Sequence, residues 1–227
     1  EDSAGEYLME NAEERAYRLI INEILSGVYH PGDFLLELDI AAQMEMSRTP
    51  VSRALSRLVA EGFLKKMPKK GCYIPIPTPK DAELVFTARQ VAEGEATALA
   101  AANVTEEDIL TLESIVAQDK YIMDAGDKER WAKINEAFHL SIAKLCNNPY
   151  IEKWAKNMFW HSNVYIFYFD GFYKPSDIVI EHQTPAQHRE IIAAIKERDV
   201  KKARSAMKRH IYTTYTKLLL PQGIEKN

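Results

Sequence analysis

The chain is nearly without cysteine: Cys72 and Cys146 are the only two among 227 residues, far apart and in no C-x-x-C pattern. That excludes a disulfide-stapled scaffold, a thiolate metal cluster and a dithiol redox centre, and two reduced thiols suit a reducing compartment. Long hydrophobic runs are also missing. No stretch of ~18 or more apolar residues offers a membrane span. The first 30 residues carry Glu and Arg throughout, with no apolar centre of a secretory leader. A cytoplasmic protein with no membrane partner is the expectation. At 46% hydrophobic and 27% charged the composition also excludes disorder, and the length allows two cores.

The net charge is only −4, yet positive charge is concentrated in one stretch. From Ser47 to Cys72, Arg48, Arg53, Arg57, Lys65, Lys66, Lys69 and Lys70 stand against the single acid Glu61. Ser47 is a good N-cap and Pro50 falls in a first helical turn, so a helix starts here. On it Val51, Ala54, Leu55, Leu58 and Val59 share one stripe, while Thr49, Ser52, Arg53, Ser56 and Arg57 gather opposite. A solvated amphipathic helix would show the same two faces. The surroundings favour DNA: Glu37 to Met44 is a second short helix joined by a small turn, the helix-turn-helix arrangement. Downstream, Gly62 to Met67 and Gly71 to Ile76 flank Pro68-Lys69-Lys70 as a β-hairpin wing with a basic tip. The expected DNA contacts are Ser47, Arg48, Thr49, Ser52, Arg53 and Arg57 on the helix, with Lys69, Lys70 and Gly71 in the wing.

These residues resemble the GntR superfamily of bacterial transcription regulators. The resemblance runs through Gly27-Val28-Tyr29-His30-Pro31-Gly32, Ser47-Arg48-Thr49-Pro50-Val51, Arg57 to Phe63, and Gly71. It implies a dimeric winged helix-turn-helix domain on double-stranded operator DNA. One position departs: where the family reads Pro-Val-Arg-Glu-Ala-Leu, this chain reads Pro50-Val51-Ser52-Arg53-Ala54-Leu55, so the usual contacting Arg is Ser52.

Ahead of this region, a helical period from about Tyr7 to Ser26 ends at Gly27. After it, Pro75-Ile76-Pro77-Thr78-Pro79 breaks regular structure. Residues 1–76 are expected as the DNA-binding domain, 77–79 as linker and 80–227 as an all-helical effector-binding and dimerisation domain. Helices are predicted over Lys80 to Ala102, Thr105 to Gly126, Asp127 to Asn147, Pro149 to Phe169, Thr184 to Arg198 and Asp199 to Leu220. The fold class is mostly α: a winged helix-turn-helix plus a helical bundle.

Three of the predicted bundle helices aim an imidazole inward. His139 follows Asn135 at i+4 beside the stripe of Trp131, Ile134, Phe138 and Ile142; His188 sits among Ile191, Ile192 and Ile195; His210 lies with Ala203, Ala206 and Met207. A lone core histidine is ordinarily structural, satisfied by hydrogen bonds. Three of them with a neighbouring amide are solved together by a divalent ion, so Asn135, His139, His188 and His210 are the candidate metal ligands. Asn135-Glu136-Ala137-Phe138-His139, His188 to Ile195 with Asp199, and Ala203, Met207 and His210-Ile211 resemble the FCD effector domain of FadR-like GntR regulators. That resemblance implies a zinc, nickel or manganese site below a pocket for a small organic acid. It also implies a carboxylate-binding role for Arg89, whose alternative is an i, i+4 pair with Glu93. Asn135 stands where metal-binding members have Asp, a neutral and weaker donor.

The aromatic run Phe159, Trp160, Tyr165, Phe167, Tyr168, Phe169, Phe172 and Tyr173 is expected mainly in packing, and His161 and His182 on the surface. Two rival functions are weighed. A metal-independent sensor would keep the histidines as a hydrogen-bonded core. A mononuclear metal hydrolase would need a general base that nothing near the histidines supplies. A di-iron carboxylate site is excluded, since Glu136-x-x-His139 has no second copy.

Overall fold

The computed structural model describes residues 11–119, 128–169 and 184–219. The chain forms two compact units, residues 1–76 and 77–227.

In the first unit, Asn11 has extended backbone and its side chain accepts from the Glu14 N–H, so α1 runs Ala12–Leu25. This start is later than the predicted Tyr7, which lies outside the described residues together with Leu8. Tyr17, Ile20, Ile21 and Ile24 are buried on one face of α1, against α3. Phe34–Leu35 forms β1, Glu37–Gln43 forms α2 and Arg48–Ala60 forms α3. Val51, Ala54, Leu55 and Leu58 of α3 are buried, at the helical spacing that predicts a packed stripe. Ser47 takes the N-cap position, but its hydroxyl bonds no helix N–H; the exposed hydroxyl is left for other partners.

The wing is β2, Lys65–Met67, and β3, Gly71–Tyr73. Their order is β1-β3-β2, all antiparallel, with Leu35 opposite Cys72 and Lys66 opposite Cys72 on the other edge. Gly71 has φ 98°, and a Cβ there would lie 3.1 Å from Leu36 Cδ2 and 3.3 Å from the Leu35 carbonyl oxygen. Only glycine lets the wing return so close to β1.

The second unit begins with α4, Pro79–Asn103, capped by the Thr78 hydroxyl accepting from the Asp81 N–H. Pro79 thus belongs to the helix rather than to the linker, because proline at a first position loses no internal hydrogen bond. α5, Glu106–Val116, opens on a Thr105/Asp108 capping box. It stops well before the predicted Gly126: the Gln118 N–H turns back to the Ile115 carbonyl, tightening the last turn, and residues 120–127 lie outside the described set. α6 is Lys128–Leu145, α7 Pro149–Phe169, α8 Thr184–Lys196 and α9 Val200–Leu219. α4 is central and packs against α6, α7, α8 and α9. Its buried Ala82, Ala92, Ala96 and Ala100 let those neighbours approach closely. Phe86, Leu112, Phe138, Ile142, Ile191 and Met207 are in the core that surrounds the histidines. Among the described residues no helix is long and apolar enough to cross a membrane.

Candidate functional site

Phe138 and His139 are consecutive on α6, and both are buried. Phe138 stacks on the His188 ring of α8 with centroids 4.0 Å apart, which fixes the plane of that imidazole. His210 reaches in from α9, between the buried Met207 and Ile211. The three rings, 2%, 0% and 3% exposed for His139, His188 and His210, offer one nitrogen each within 4.8 Å of one another.

The outer nitrogen of every ring is held by a side-chain oxygen. Nδ1 of His139 lies 2.5 Å from Glu93 Oε2, Nδ1 of His188 lies 3.1 Å from Asp119 Oδ2, and Nδ1 of His210 lies 2.8 Å from Gln187 Oε1. Three oxygen acceptors place the protons on Nδ1 and leave lone pairs on Nε2. The Nε2 atoms of His139 and His210 are then 3.3 Å apart, facing each other. The Nε2 of His188 is buried with no hydrogen-bond partner among the described residues. Two nitrogens bound to one tetrahedral ion at ~2.0–2.1 Å stand about 3.3–3.4 Å apart, so this pair fits a metal, and the unpartnered His188 Nε2 is the third donor within reach. Burial also keeps the imidazoles neutral, as ligands must be. It pushes His139 down to about 4 against the opposing pull of Glu93. His188 is lowered by burial against Asp119, and His210 well lowered by burial and by its two imidazole neighbours.

Arg89 lies in this site. Its Nε is 2.5 Å from Glu93 Oε1, NH1 donates to Ser162 Oγ at 3.0 Å, and NH2 is 3.4 Å from the His139 ring nitrogens. The guanidinium sits 4.7 Å from the Phe159 ring centroid. Both sequence readings of Arg89 meet here: it pairs with Glu93 and it flanks the histidines. Burial raises the Glu93 carboxyl, but the charge of Arg89 and the bond to His139 outweigh it and hold Glu93 at about 2. Asn135 is half-buried on α6, one turn before His139. Glu93, Asp119, Gln187 and Ser162 were not foreseen as members of the site. Asp119 had a readable signal: it follows Leu112 and Val116 by seven and three residues, a charge on an apolar stripe. Trp160 donates to Glu136 at 2.7 Å, and His182, Phe172 and Tyr173 lie outside the described residues.

On the first unit, Ser47, Arg48, Thr49, Arg53, Lys69 and Lys70 are exposed, and Ser52 and Gly71 are half-buried. Ser52 donates to Glu37 at 2.8 Å, and Arg48 lies 3.4 Å from the same carboxylate. Arg57 is different. Its guanidinium bonds Glu14 at 2.6 Å and Glu61 at 3.1 Å and stacks 3.7 Å above the Tyr17 ring. Expected at the DNA face, it ties α3 to α1 through Glu14 and Tyr17 while staying over a third exposed.

Residues 84–213 match the FCD domain family, and residues 12–74 match the bacterial regulatory proteins of the gntR family. An uncharacterised HTH-type transcriptional regulator of Agrobacterium vitis is 35% identical over 55% of this chain and 74% of its own length. The Uxu operon regulator of Haemophilus influenzae is 25% identical over 96% of this chain and 87% of its own. Among solved structures, E. coli McbR/YncC superposes with a TM-score of 0.83 at 22% identity, covering 94% of this chain and all of that one. The matched families and relatives are regulators, not enzymes. The chain belongs to the gntR family of bacterial transcriptional regulators, with a winged helix-turn-helix followed by an FCD domain.

Proposed function

We propose that the protein is a cytoplasmic, homodimeric regulator whose FCD domain holds a divalent metal on His139, His188 and His210 and senses a small carboxylate there. The observation that carries the reading is the pair of Nε2 lone pairs 3.3 Å apart, each ring having its proton committed to an outer oxygen. Three neutral nitrogens with a position left open favour zinc, and nickel or manganese are the other candidates. Asn135, one turn from His139, is the candidate fourth donor. Bound there, the ion supplies a Lewis-acid site for an effector carboxylate oxygen. Glu93, Asp119 and Gln187 orient the rings. Arg89, held in place by Glu93 and Ser162, is set to hydrogen-bond the effector. The effector changes operator affinity to the extent that it binds the DNA-competent arrangement differently from the other.

The test is thermal stability of chelator-stripped protein with zinc, nickel or manganese, alone and with small carboxylates. A shift that requires both metal and one class of acid supports the reading. The 3.3 Å His139–His210 contact also suits a second reading, a hydrogen-bonded histidine core without metal. An acid-induced shift in the stripped protein, unchanged by metal, would select it.

A further inference from the structure

The proposed ligand set is electrically neutral: three imidazoles, with the amide of Asn135 beside them. Before an effector carboxylate arrives, charge balance must come from the residues around it. Glu93 does not supply it, because Arg89 lies 2.5 Å from one of its oxygens and cancels its charge. Asp119 is different. It is 0% exposed, and its ion-pair contact among the described residues is to His188 alone, Oδ2 3.1 Å from Nδ1. Its second oxygen, Oδ1, is buried with no hydrogen-bond partner among the described residues, as is Nε2 on the far side of the same His188 ring. A buried carboxylate with no cation is costly, and so is a buried nitrogen lone pair with no donor. One event answers both: a cation on His188 Nε2 takes up the lone pair and supplies the charge that Asp119 lacks.

We infer that Asp119 is the charge-compensating and positioning carboxylate of the metal centre, acting through His188, in a chain whose candidate ligand at position 135 is a neutral amide. The inference rests on the metal reading above and assigns Asp119 no direct bond to the ion. Carboxylate, imidazole and metal in line is a general means of fixing a ring and raising its basicity.

The experiment uses the full chain, stripped of metal, with zinc affinity measured by competition against a chromophoric chelator and with melting temperature measured in parallel. Asp119→Asn keeps an oxygen for the His188 N–H and exchanges the charged carboxylate for a neutral amide of nearly the same shape. Zinc binding is expected to weaken by about 10–100-fold. The metal-free variant is expected to melt at or above the metal-free parent, since an uncompensated buried charge has gone. A merely structural role would lower the metal-free melting point. As a second variant, Asn135→Asp added to Asp119→Asn restores a carboxylate one turn from His139 and is expected to recover most of the lost affinity. Wild-type zinc affinity in Asp119→Asn would overturn the inference while leaving the metal reading intact. So would a lowered metal-free melting point together with no recovery in the double variant. If the parent chain itself binds none of zinc, nickel or manganese, both readings fail.

Discussion

Glu93 and His139 are joined carboxylate to imidazole, Oε2 2.5 Å from Nδ1, while the other carboxylate oxygen holds Arg89. One buried acid on α4 thus connects a candidate metal ligand on α6 to the candidate effector-binding arginine. Glu93→Gln breaks the pair and leaves the Arg89 guanidinium buried without its counter-charge. Removing one partner of a buried pair costs about 3–5 kcal/mol, so the metal-free variant is expected to lose stability on that scale in denaturant unfolding. The direction is opposite to that expected for Asp119→Asn, because among the described residues Asp119 has no guanidinium paired with it. An unchanged unfolding midpoint would show that Arg89 is not dependent on Glu93.

The metal-free protein is expected to lose stability as pH falls through the histidine range. Unfolded histidines titrate near ~6.5. Folded His139 is held down to about 4 by burial. Between those values the unfolded chain binds more protons than the folded one, so stability decreases as pH is lowered. The contribution is complete above the unfolded value and disappears as pH approaches the folded one. Glu93, held at about 2 against 4.5, adds a loss of the same sign below the histidine window. Melting temperatures of stripped protein across this range test the expectation, and His139→Asn is expected to make the profile shallower, with His188 and His210 still contributing. A parent profile already flat from neutral pH down to 4.5 would contradict it.

The basic residues of α3 separate into two classes that one pair of assays distinguishes. Arg48 and Arg53 are well exposed, in loose pairs at 3.4 and 3.8 Å with Glu37 and Glu13. Changing either to Ala is expected to weaken operator binding and reduce the salt slope by about 1, with stability nearly unchanged. Arg57→Ala opens the clamp to Glu14, Glu61 and Tyr17. Because this arginine is itself over a third exposed, the expected cost is modest, about 1 kcal/mol, mostly from lost packing on the ring. Below the melting transition its salt slope should match the parent's. A salt slope reduced as in Arg48→Ala would return Arg57 to the DNA face.

What the sequence made readable, and what it hid, follows from where each signal resides. The burial of Val51, Ala54, Leu55 and Leu58, and of His188 among Ile191, Ile192 and Ile195, is a property of one helix and its period. The partners of Arg57 lie 43 residues back on α1 and four residues ahead, and only packing reveals that Glu14 arrives there. Glu93 looks like a surface acid on an alanine-rich helix until α6 brings His139 to it from 46 positions away. The third wing strand is two residues long, and its register to Tyr73 and Cys72 leaves no pattern in Phe34-Leu35. Asp119, by contrast, stands on the apolar stripe of Leu112 and Val116 as the histidines stand on theirs, a signal carried by a single helical period.

Glu37 stands at the start of α2 with two residues of the recognition helix attached to it. Ser52 donates to one oxygen at 2.8 Å and Arg48 lies 3.4 Å from the other. A carboxylate at this place repels DNA phosphates and competes with them for Arg48. The competing pair is exposed, and such pairs contribute only about 0–1 kcal/mol, so it does little to pre-set the Arg48 side chain. Removing it should therefore help binding more than it harms. Glu37→Ala is expected to tighten binding to non-specific duplex DNA about fivefold at low salt, the equivalent of ~1 kcal/mol of Coulomb repulsion, with the gain vanishing at high salt as screening sets in. Titration of fluorescent duplex DNA at two ionic strengths measures both quantities. Weaker binding at low salt would mean that Glu37 organises Arg48 and Ser52 for contact, and that the ion pair is part of the DNA-reading surface.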